Sequence, residues 1–415
     1  MDVSSQSLPV RGTEPSREVA TMSIGSAARA PREELNRDAL EDLARRGFTR
    51  RHVLRVAALL SAATTAVSLG GERALAQLSN AGTIPDDAVK INANEFPEGP
   101  SERALAALAD AARRGNRYQY PETDALVSAA AALEALEPEH FAVYPGSSLA
   151  LHHAVVAFTS PSRALVVAEP GYEAAATAAT FIGAPVVRVP LRADAAHDLP
   201  AMLAASKTRP VGLFYVCNPN NPTGTVTPRA EIDALVAAAP RDAVILLDEA
   251  YIHLCDDPRG VDLVRAGKNV VLLRTFSKIF GMAGLRAGFA IARKDLLARM
   301  TPWNAGAMPA TAMAAAHAAL GETDLIAARK RGNAERRGDL MRFFDAHGFR
   351  YTPSVANHLM VDTRKPTLEV IEGLKRQNVY VGRPWPVWPT HVRVSIGSAE
   401  DMERFKSAFL AVAAR

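Results

Sequence analysis

Cysteine is nearly absent from this chain. Only Cys217 and Cys255 occur among 415 residues, which excludes a disulfide framework and a thiolate metal site. No HExxH spacing or histidine cluster is present, so the usual signature of a catalytic metal is missing too. Charge of one sign is scarce: 48 Lys and Arg stand against 44 Asp and Glu, a net +4. No basic stretch is interleaved with aromatics and no helix-turn-helix is visible, so nucleic acid is not an indicated partner. No fixed period repeats. What is left is a soluble globular composition, 48% hydrophobic and 22% charged, at a length suggesting about two or three domains.

Residues 1 to about 48 are rich in Ser, Arg and Glu with little apolar periodicity, which predicts disorder. Thr49-Arg50-Arg51-His52-Val53-Leu54-Arg55 then leads into an apolar run, Val56 to Leu69, too short to span a bilayer comfortably. Ala74-Leu75-Ala76 follows as a small-x-small site. An arginine pair before a moderately apolar segment resembles a twin-arginine export signal. That resemblance implies a leader over 1–76, use of the twin-arginine export machinery, and a periplasmic or exported mature protein starting near Gln77. The other reading is a basic leader with an amphipathic helix on a cytoplasmic protein, and Met22 offers an internal start.

Asn92 to Ser101 is broken by Pro and Gly and reads as extended. A helix follows with Ser101 as N-cap and Leu105 and Leu108 on one face. Tyr118 to Pro121 reads as a loop, and an Ala-rich helix runs from about Asp124 to Leu136. Gly146-Ser147-Ser148 enters a helix over Leu149 to Phe158. Free N–H groups and hydroxyls there suit an anion, although an ordinary capped helix would look the same. Apolar runs at 164–168, 185–189, 211–217, 243–247, 270–273 and 287–292 alternate with helical stretches. This pattern predicts an α/β fold with a mainly parallel sheet covered by helices. Asn218 to Gly224 holds two Asn-Pro pairs and a Gly, which force a tight loop at a strand end, where ligands sit in such sheets. Thr227 reads as a helix cap, and Asp248 sits at the tip of a buried strand, where a carboxylate needs a partner. A long helix is expected over Ala310 to Phe344 and strands over 359–362 and 391–396. A last helix, capped by Ser398, places Met402, Phe405, Phe409 and Val412 on one face.

The stretch Thr275-Phe276-Ser277-Lys278-Ile279-Phe280-Gly281-Met282-Ala283-Gly284-Leu285-Arg286 organises the rest. A buried lysine beside a cation titrates low enough to act as an amine nucleophile or proton shuttle. The hydroxyls of Thr275 and Ser277 and the guanidinium of Arg286 suit a phosphate. A Schiff-base lysine beside a phosphate cup is what pyridoxal phosphate needs. These twelve residues alone leave open a solvated lysine in a Gly-rich loop.

Four motifs in order close that gap. Asn-Pro-Asn-Asn-Pro-Thr-Gly (218–224), Asp-Glu-Ala-Tyr (248–251), Ser-Lys-x-Phe-Gly-x-Ala-Gly-Leu-Arg (277–286) and Val-Arg-Val-Ser-Ile-Gly (392–397) resemble the fold-type I, class I/II pyridoxal-phosphate aminotransferases. Asn-Ala-Asn-Glu-Phe-Pro (92–97) and Asp-Glu-Ala-Tyr-Ile resemble the histidinol-phosphate aminotransferase branch. The likeness runs from about Asp86 onward. It implies a large cofactor domain over 141–305 with a seven-stranded type of sheet. A smaller α/β domain over 306–415 is joined by an arm and part of that domain over 77–140.

The resemblance also implies roles. Lys278 would hold the cofactor as a Schiff base and move the proton at Cα. Asp248 would pair with the ring nitrogen, Asn221 and Tyr251 with the ring oxygen, and Tyr172 would stack on the ring. Gly146, Ser147, Ser148, Thr275, Ser277 and Arg286 would hold the phosphate, with Tyr120 reaching it from a second subunit of a homodimer. Arg393 would grip the substrate carboxylate by two bonds, with Asn221, Phe96 and Arg383 near the substrate. The reaction implied moves an amino group from an L-amino acid or a histidinol phosphate-like amine to a 2-oxo acid. Other chemistry on the same cofactor (C–S lyase, racemase or decarboxylase) and a non-catalytic cofactor-binding protein are the alternatives. Four departures stand out. Ser148 replaces a usual acidic residue, His358 follows Asn357 where an aromatic is usual, and Phe96 replaces a tyrosine. In Val379-Tyr380-Val381-Gly382-Arg383-Pro384 a Gly takes the expected Arg position and Arg383 is displaced by one. With Glu98 nearby, these changes point to an unphosphorylated donor, aromatic or basic.

Overall fold

The structure is a computed structural model that describes residues 41–62, 84–257, 259–303 and 308–413. The expectations for residues 1–40 and for 63–83, the small-x-small triplet among them, lie outside these residues. The strands are β1 (Val89–Ile91), β2 (Phe141–Tyr144), β3 (Ala164–Glu169), β4 (Val186–Pro190), β5 (Val211–Cys217), β6 (Val244–Asp248), β7 (Val270–Thr275), β8 (Gly288–Ala292), β9 (Arg350–Tyr351), β10 (His358–Asp362), β11 (Val379–Val381) and β12 (His391–Ser395).

Seven of them form one sheet in the order β2-β8-β7-β6-β5-β3-β4. From β7 through β4 the neighbours are parallel, while β8 runs antiparallel to both β7 and the edge strand β2. Every residue of β5, β6, β7 and β8 is buried, as continuous apolar strands covered on both faces must be. The register sets Cys217 opposite Asp248 and Asp248 opposite Leu273. The loops that follow β5, β6 and β7 therefore leave the sheet at one end, side by side.

A second layer lies toward the C-terminus. The antiparallel sheet β12-β10-β9 and the parallel pair β1-β11 share a core with Phe344, Phe405 and Phe409, whose rings meet edge to face or tilted at 5.3–6.4 Å. Pairing β1 with β11 ties the N-terminal arm to this layer. The arm then runs toward the Lys278 loop. A Cβ on Gly281, whose φ is +71°, would lie 2.0 Å from the Gly99 carbonyl, so only glycine lets the two chains approach. Arg329 fixes the crossing by donating to Ile279 O and Gly99 O at 2.9 and 2.7 Å.

Several sequence expectations change in the fold. The helix expected from Asp124 begins at Tyr120, because Pro121 fits a first turn where its missing N–H is not needed. The long helix expected over 310–344 is two, Ala310–Leu320 and Thr323–Ala346, interrupted at the poor helix former Gly321. Thr227 is not the cap of the helix Arg229–Ala238; Pro228 holds that place, and the Thr227 hydroxyl accepts from the His197 amide at 3.1 Å. Ser101 does cap the helix Glu102–Arg113, yet Ala104 and Ala111 are buried there while Leu105 is 40% exposed. Small alanines let that helix lie close against Ala310–Leu320.

Residues 41–45, read as disordered, are helical. A further helix, Arg50–Ala62, carries the arginine pair. Its Val56 and Leu59 are buried, and it packs on the helices Ser147–Phe158 and Ala174–Ile182. Arg46 donates to Thr159 O at 2.9 Å and to Val156 O, satisfying the end of the helix Ser147–Phe158. No helix of the described residues is long and apolar enough to cross a membrane.

Behind the sheet, Arg274 is 5% exposed and holds two carboxylates. Its Nε donates to Glu249 Oε2 at 2.8 Å and its Nη1 to Glu134. This links β7 to the helix Tyr120–Glu134 and to the segment after β6. Arg274→Met should leave the buried Glu249 carboxylate without its cation, while the half-buried Glu134 keeps Arg259 at 2.9 Å, and destabilise the fold by about 3–5 kcal/mol. The shift of the urea denaturation midpoint measures this; a change below about 1 kcal/mol would show that the network contributes little.

Candidate active site

At the ends of β5, β6 and β7 lies a cavity of about 380 Å3. Of the residues expected from sequence, it brings together Lys278, Asp248, Tyr251, Asn221, Tyr172, Ser147, Ser148, Thr275, Ser277, Arg286, Arg383 and Arg393. Asn92 to Glu95 close it from the arm side.

Asp248 ends β6 at the floor. Its Oδ2 accepts from the Tyr215 hydroxyl at 2.9 Å and its Oδ1 from the Ala250 amide at 3.1 Å. Burial pushes its carboxyl up to about 6, above the usual carboxylate range, because no hydrogen-bonded cation offsets the lost water. Tyr215 was not foreseen from sequence, since it hides within an apolar strand. Only the strand register reveals it: with a two-residue period, Tyr215 shares a face with Cys217, which stands opposite Asp248.

Lys278 Nζ donates to Asn94 O at 3.1 Å and Ala93 O at 3.4 Å. Burial, and then the nearby Arg393 guanidinium, lower its amine to about 8. The Tyr251 ring lies 5.4 Å from the ammonium. Asn94 is the second residue that sequence reasoning missed. Its Nδ2 donates to Tyr251 Oη at 3.1 Å, and its Oδ1 accepts from Ser395 Oγ at 2.9 Å. Its own carbonyl also accepts from Asn357 Nδ2 at 3.0 Å. Asn94 has φ +53°, and Asn is among the few residues that adopt such a conformation readily. With Asn94 donating to it, the Tyr251 hydroxyl keeps its own proton to give to a ligand.

An anion cradle forms one wall. The helix Ser147–Phe158 starts at Gly146, φ +86°, with no side chain capping its first turn. Ser277 Oγ accepts from Thr275 Oγ1 at 2.9 Å and from Arg286 Nη1 at 3.4 Å. Arg286 has φ +62°, a conformation that non-glycine residues rarely hold. A Cβ on Gly146 would lie 2.3 Å from Arg286 Nη2, so glycine there is what admits the guanidinium. Free helix N–H groups, three or more hydroxyls and a guanidinium converge as a phosphate site requires.

Two further arginines face the opposite wall. Arg393 is buried and donates to Asn221 Oδ1 at 3.0 Å and to Asn92 O, while its Nε has no hydrogen-bond partner. Burial lowers its guanidinium to about 10. Arg383 donates to Glu173 Oε2 and lies 3.9 Å over the Trp385 ring, with Arg393 5.2 Å from the same ring. His358 meets the Tyr251 ring edge-on at 4.7 Å, and its Nε2 is 3.2 Å from Asn220 O. Burial pushes this imidazole well below its usual pKa, so it packs as a neutral aromatic ring.

Other expected residues lie elsewhere. Tyr120 is 62% exposed, stacks on Tyr118 at 5.8 Å, and does not line the cavity of its own chain. Phe96 is buried beside a neighbouring cavity of about 400 Å3, with Arg329 5.5 Å from its ring. Glu98 pairs with Arg336 at 2.8 Å, and the carboxylate that lines the site is Glu95. Cys217 and Cys255 are both free thiols. Among the described residues no group of three or more His, Cys, Asp or Glu could hold a metal ion.

Comparison with known proteins identifies the family. The profile of the family Aminotransferase class I and II matches residues 86–409. Histidinol-phosphate aminotransferase of Symbiobacterium thermophilum is 36% identical over 329 residues, 78% of this chain and 90% of that protein. Aromatic amino acid aminotransferase of Rhodococcus jostii is 38% identical over 272 residues, 65% of this chain and 76% of that protein. The crystal structure of histidinol-phosphate aminotransferase from Sinorhizobium meliloti with pyridoxal-5'-phosphate superposes with a TM-score of 0.74. It is 26% identical and covers 85% of this chain and 96% of that one.

Asp248 gives a test of the site that needs no ligand. Its folded pKa of about 6 lies above the ordinary 3.8. The proton it prefers in the fold therefore stabilises below pH ~4, and that stability is lost as pH rises through 6. Asp248→Asn in cofactor-free protein should gain on the parent from pH 4 to pH 8, by at most roughly 3 kcal/mol. Denaturation midpoints at several pH values measure this, and a difference that does not vary with pH contradicts the stated cause.

Proposed function

The chain belongs to the class I and II aminotransferases and is a pyridoxal-phosphate-dependent transaminase; from that premise we propose that its donor is a free, unphosphorylated aromatic L-amino acid and its acceptor a 2-oxo acid. The cavity fits the cofactor in its donor chemistry. Ser147, Ser148, Thr275, Ser277 and Arg286 would hold the phosphate, and Tyr172 would cover the ring. Asn221 and Tyr251 would bond the ring oxygen, Asp248 the ring nitrogen, and Lys278 would carry the cofactor covalently. When bound, the cofactor supplies an electron sink conjugated to the substrate Cα. Lys278, near neutrality at about 8, takes and returns the proton at that Cα. Asp248, ionised at neutral pH, would favour a proton on the ring nitrogen. Arg393 holds the substrate α-carboxylate, with its unpartnered Nε among the available donors.

The observation that carries the substrate reading is the Arg383–Glu173 pair. The arginine that could take a second anion already ends on a carboxylate. Phe96 offers no hydroxyl and lies outside the cavity, while Glu95 adds negative charge inside it. A relative named as an aromatic amino acid aminotransferase supports the same choice. Phenylalanine or tyrosine should exceed histidinol phosphate in kcat/KM. A preference for histidinol phosphate above about tenfold, roughly 1.4 kcal/mol, would overturn this reading.

We further propose a homodimer in which Tyr120 completes the partner's phosphate site. Its exposure on its own chain supports this. Tyr120→Phe should weaken cofactor retention by about 1.5–3 kcal/mol, the worth of a hydrogen bond to a charged group. Equilibrium dialysis of the cofactor measures it, and a fully active monomer at low concentration would exclude the arrangement.

Export through the twin-arginine machinery is proposed as well. Supporting it, Arg50 and Arg51 are exposed at the start of their helix, open to a receptor. Replacing both by Lys should retain the protein in the cytoplasm with residues 1–76 attached. If the unchanged protein is retained equally, the proposal fails.

A further inference from the structure

We infer that Glu173 sets which substrate side chains this enzyme accepts: by pairing with Arg383 it cancels the positive charge beside Arg393, so that neutral aromatic side chains are taken and acidic or phosphorylated ones are disfavoured. The inference rests on the substrate reading above and assigns it to one residue. Glu173 precedes the helix Ala174–Ile182 and makes no side-chain cap to it. Its carboxylate goes instead to Arg383 Nη2. Arg383 is 6% exposed and lines the cavity. Its guanidinium is held in place by the buried Trp385 ring, whose Nε1 donates to Gly171 O at 3.4 Å. That carbonyl lies two residues before Glu173, so the ring and the carboxylate are positioned by the same short segment. A substrate with a distal carboxylate or phosphate must take Arg383 away and leave the half-buried Glu173 unpaired. An aromatic side chain requires no such exchange.

The test uses the holoenzyme with Glu173→Gln. The ratio of kcat/KM for L-glutamate to that for L-phenylalanine should rise by about tenfold or more. Calorimetric Kd values for glutarate and for 3-phenylpropanoate, neither of which reacts, should move the same way. Glu173→Asp should keep the parent ratio, and Arg383→Met added to Glu173→Gln should abolish the gain. A ratio unchanged within about twofold, or an equal fall for both substrates, shows Glu173 to be merely structural and overturns the inference. The two readings fail separately. If the parent prefers histidinol phosphate yet Glu173→Gln still raises the ratio, the donor assignment and the exclusion of phosphate fall, while the role of Glu173 against carboxylate side chains stands.

Discussion

Lys278 and Arg393 carry positive charge into one cavity, and the carbonyl oxygens of Asn92, Ala93 and Asn94 hold them there. Two buried cations, each with its pKa lowered by burial, need partners that do not neutralise them, since either loses its use to a tight carboxylate. Backbone dipoles meet that need. The rest of the architecture follows from delivering this strip of backbone. β1 pairs with β11, the arm crosses at Gly99 and Gly281, and Arg329 pins the crossing. Ser395 and Asn357 in the second layer then clasp Asn94. The site therefore exists only where an early segment, the sheet loops and the last strands meet.

The floor obeys a different rule. Asp248 is bonded to a phenol and an amide, neither of which carries full charge, so its carboxylate is poorly compensated. A protein selected for stability alone would place a cation there. Without one, the floor is complementary to a protonated ring nitrogen supplied from outside. Arg286 tells the same story in backbone terms, since it holds a left-handed conformation that its own sequence does not favour.

Much of this was legible in the chain. The sheet strands read as apolar runs because strands covered on both faces must be apolar throughout. The loops at their ends were marked by Asn-Pro pairs and glycines. Lys278, Asp248 and Arg286 stood out because charge or glycine-rich sequence at a strand end is hard to explain otherwise. Tyr215 and Asn94 were not legible. A tyrosine in a buried strand looks like core, and an asparagine in an extended arm looks like a turn. Only the pairing of distant segments gives them their partners. Glu173 was silent for the same reason, 210 residues from Arg383 along the chain. The helix break at Gly321 and the buried face of alanines over Glu102–Arg113 show the limit from the other side. Local pattern suggested a continuous helix and a leucine face, while packing between close helices chose otherwise.

The two arginines on the substrate wall show how one cavity can be strict at one position and selective at another. Both guanidiniums lie near the Trp385 ring, so both are held in orientation by the same surface. They differ in what they touch. Arg393 meets an amide oxygen and a backbone carbonyl, which orient it without cancelling its charge. Its burial lowers its pKa to about 10, so it is a cation short of an anion, and every amino acid brings one as its α-carboxylate. Arg383 meets a carboxylate and is already balanced. Side chains vary between substrates, and a balanced pair lets a neutral one approach without charge transfer while obliging a charged one to break an ion pair. Commitment of charge, rather than its presence, thus separates the part of the substrate that is always held from the part that is chosen.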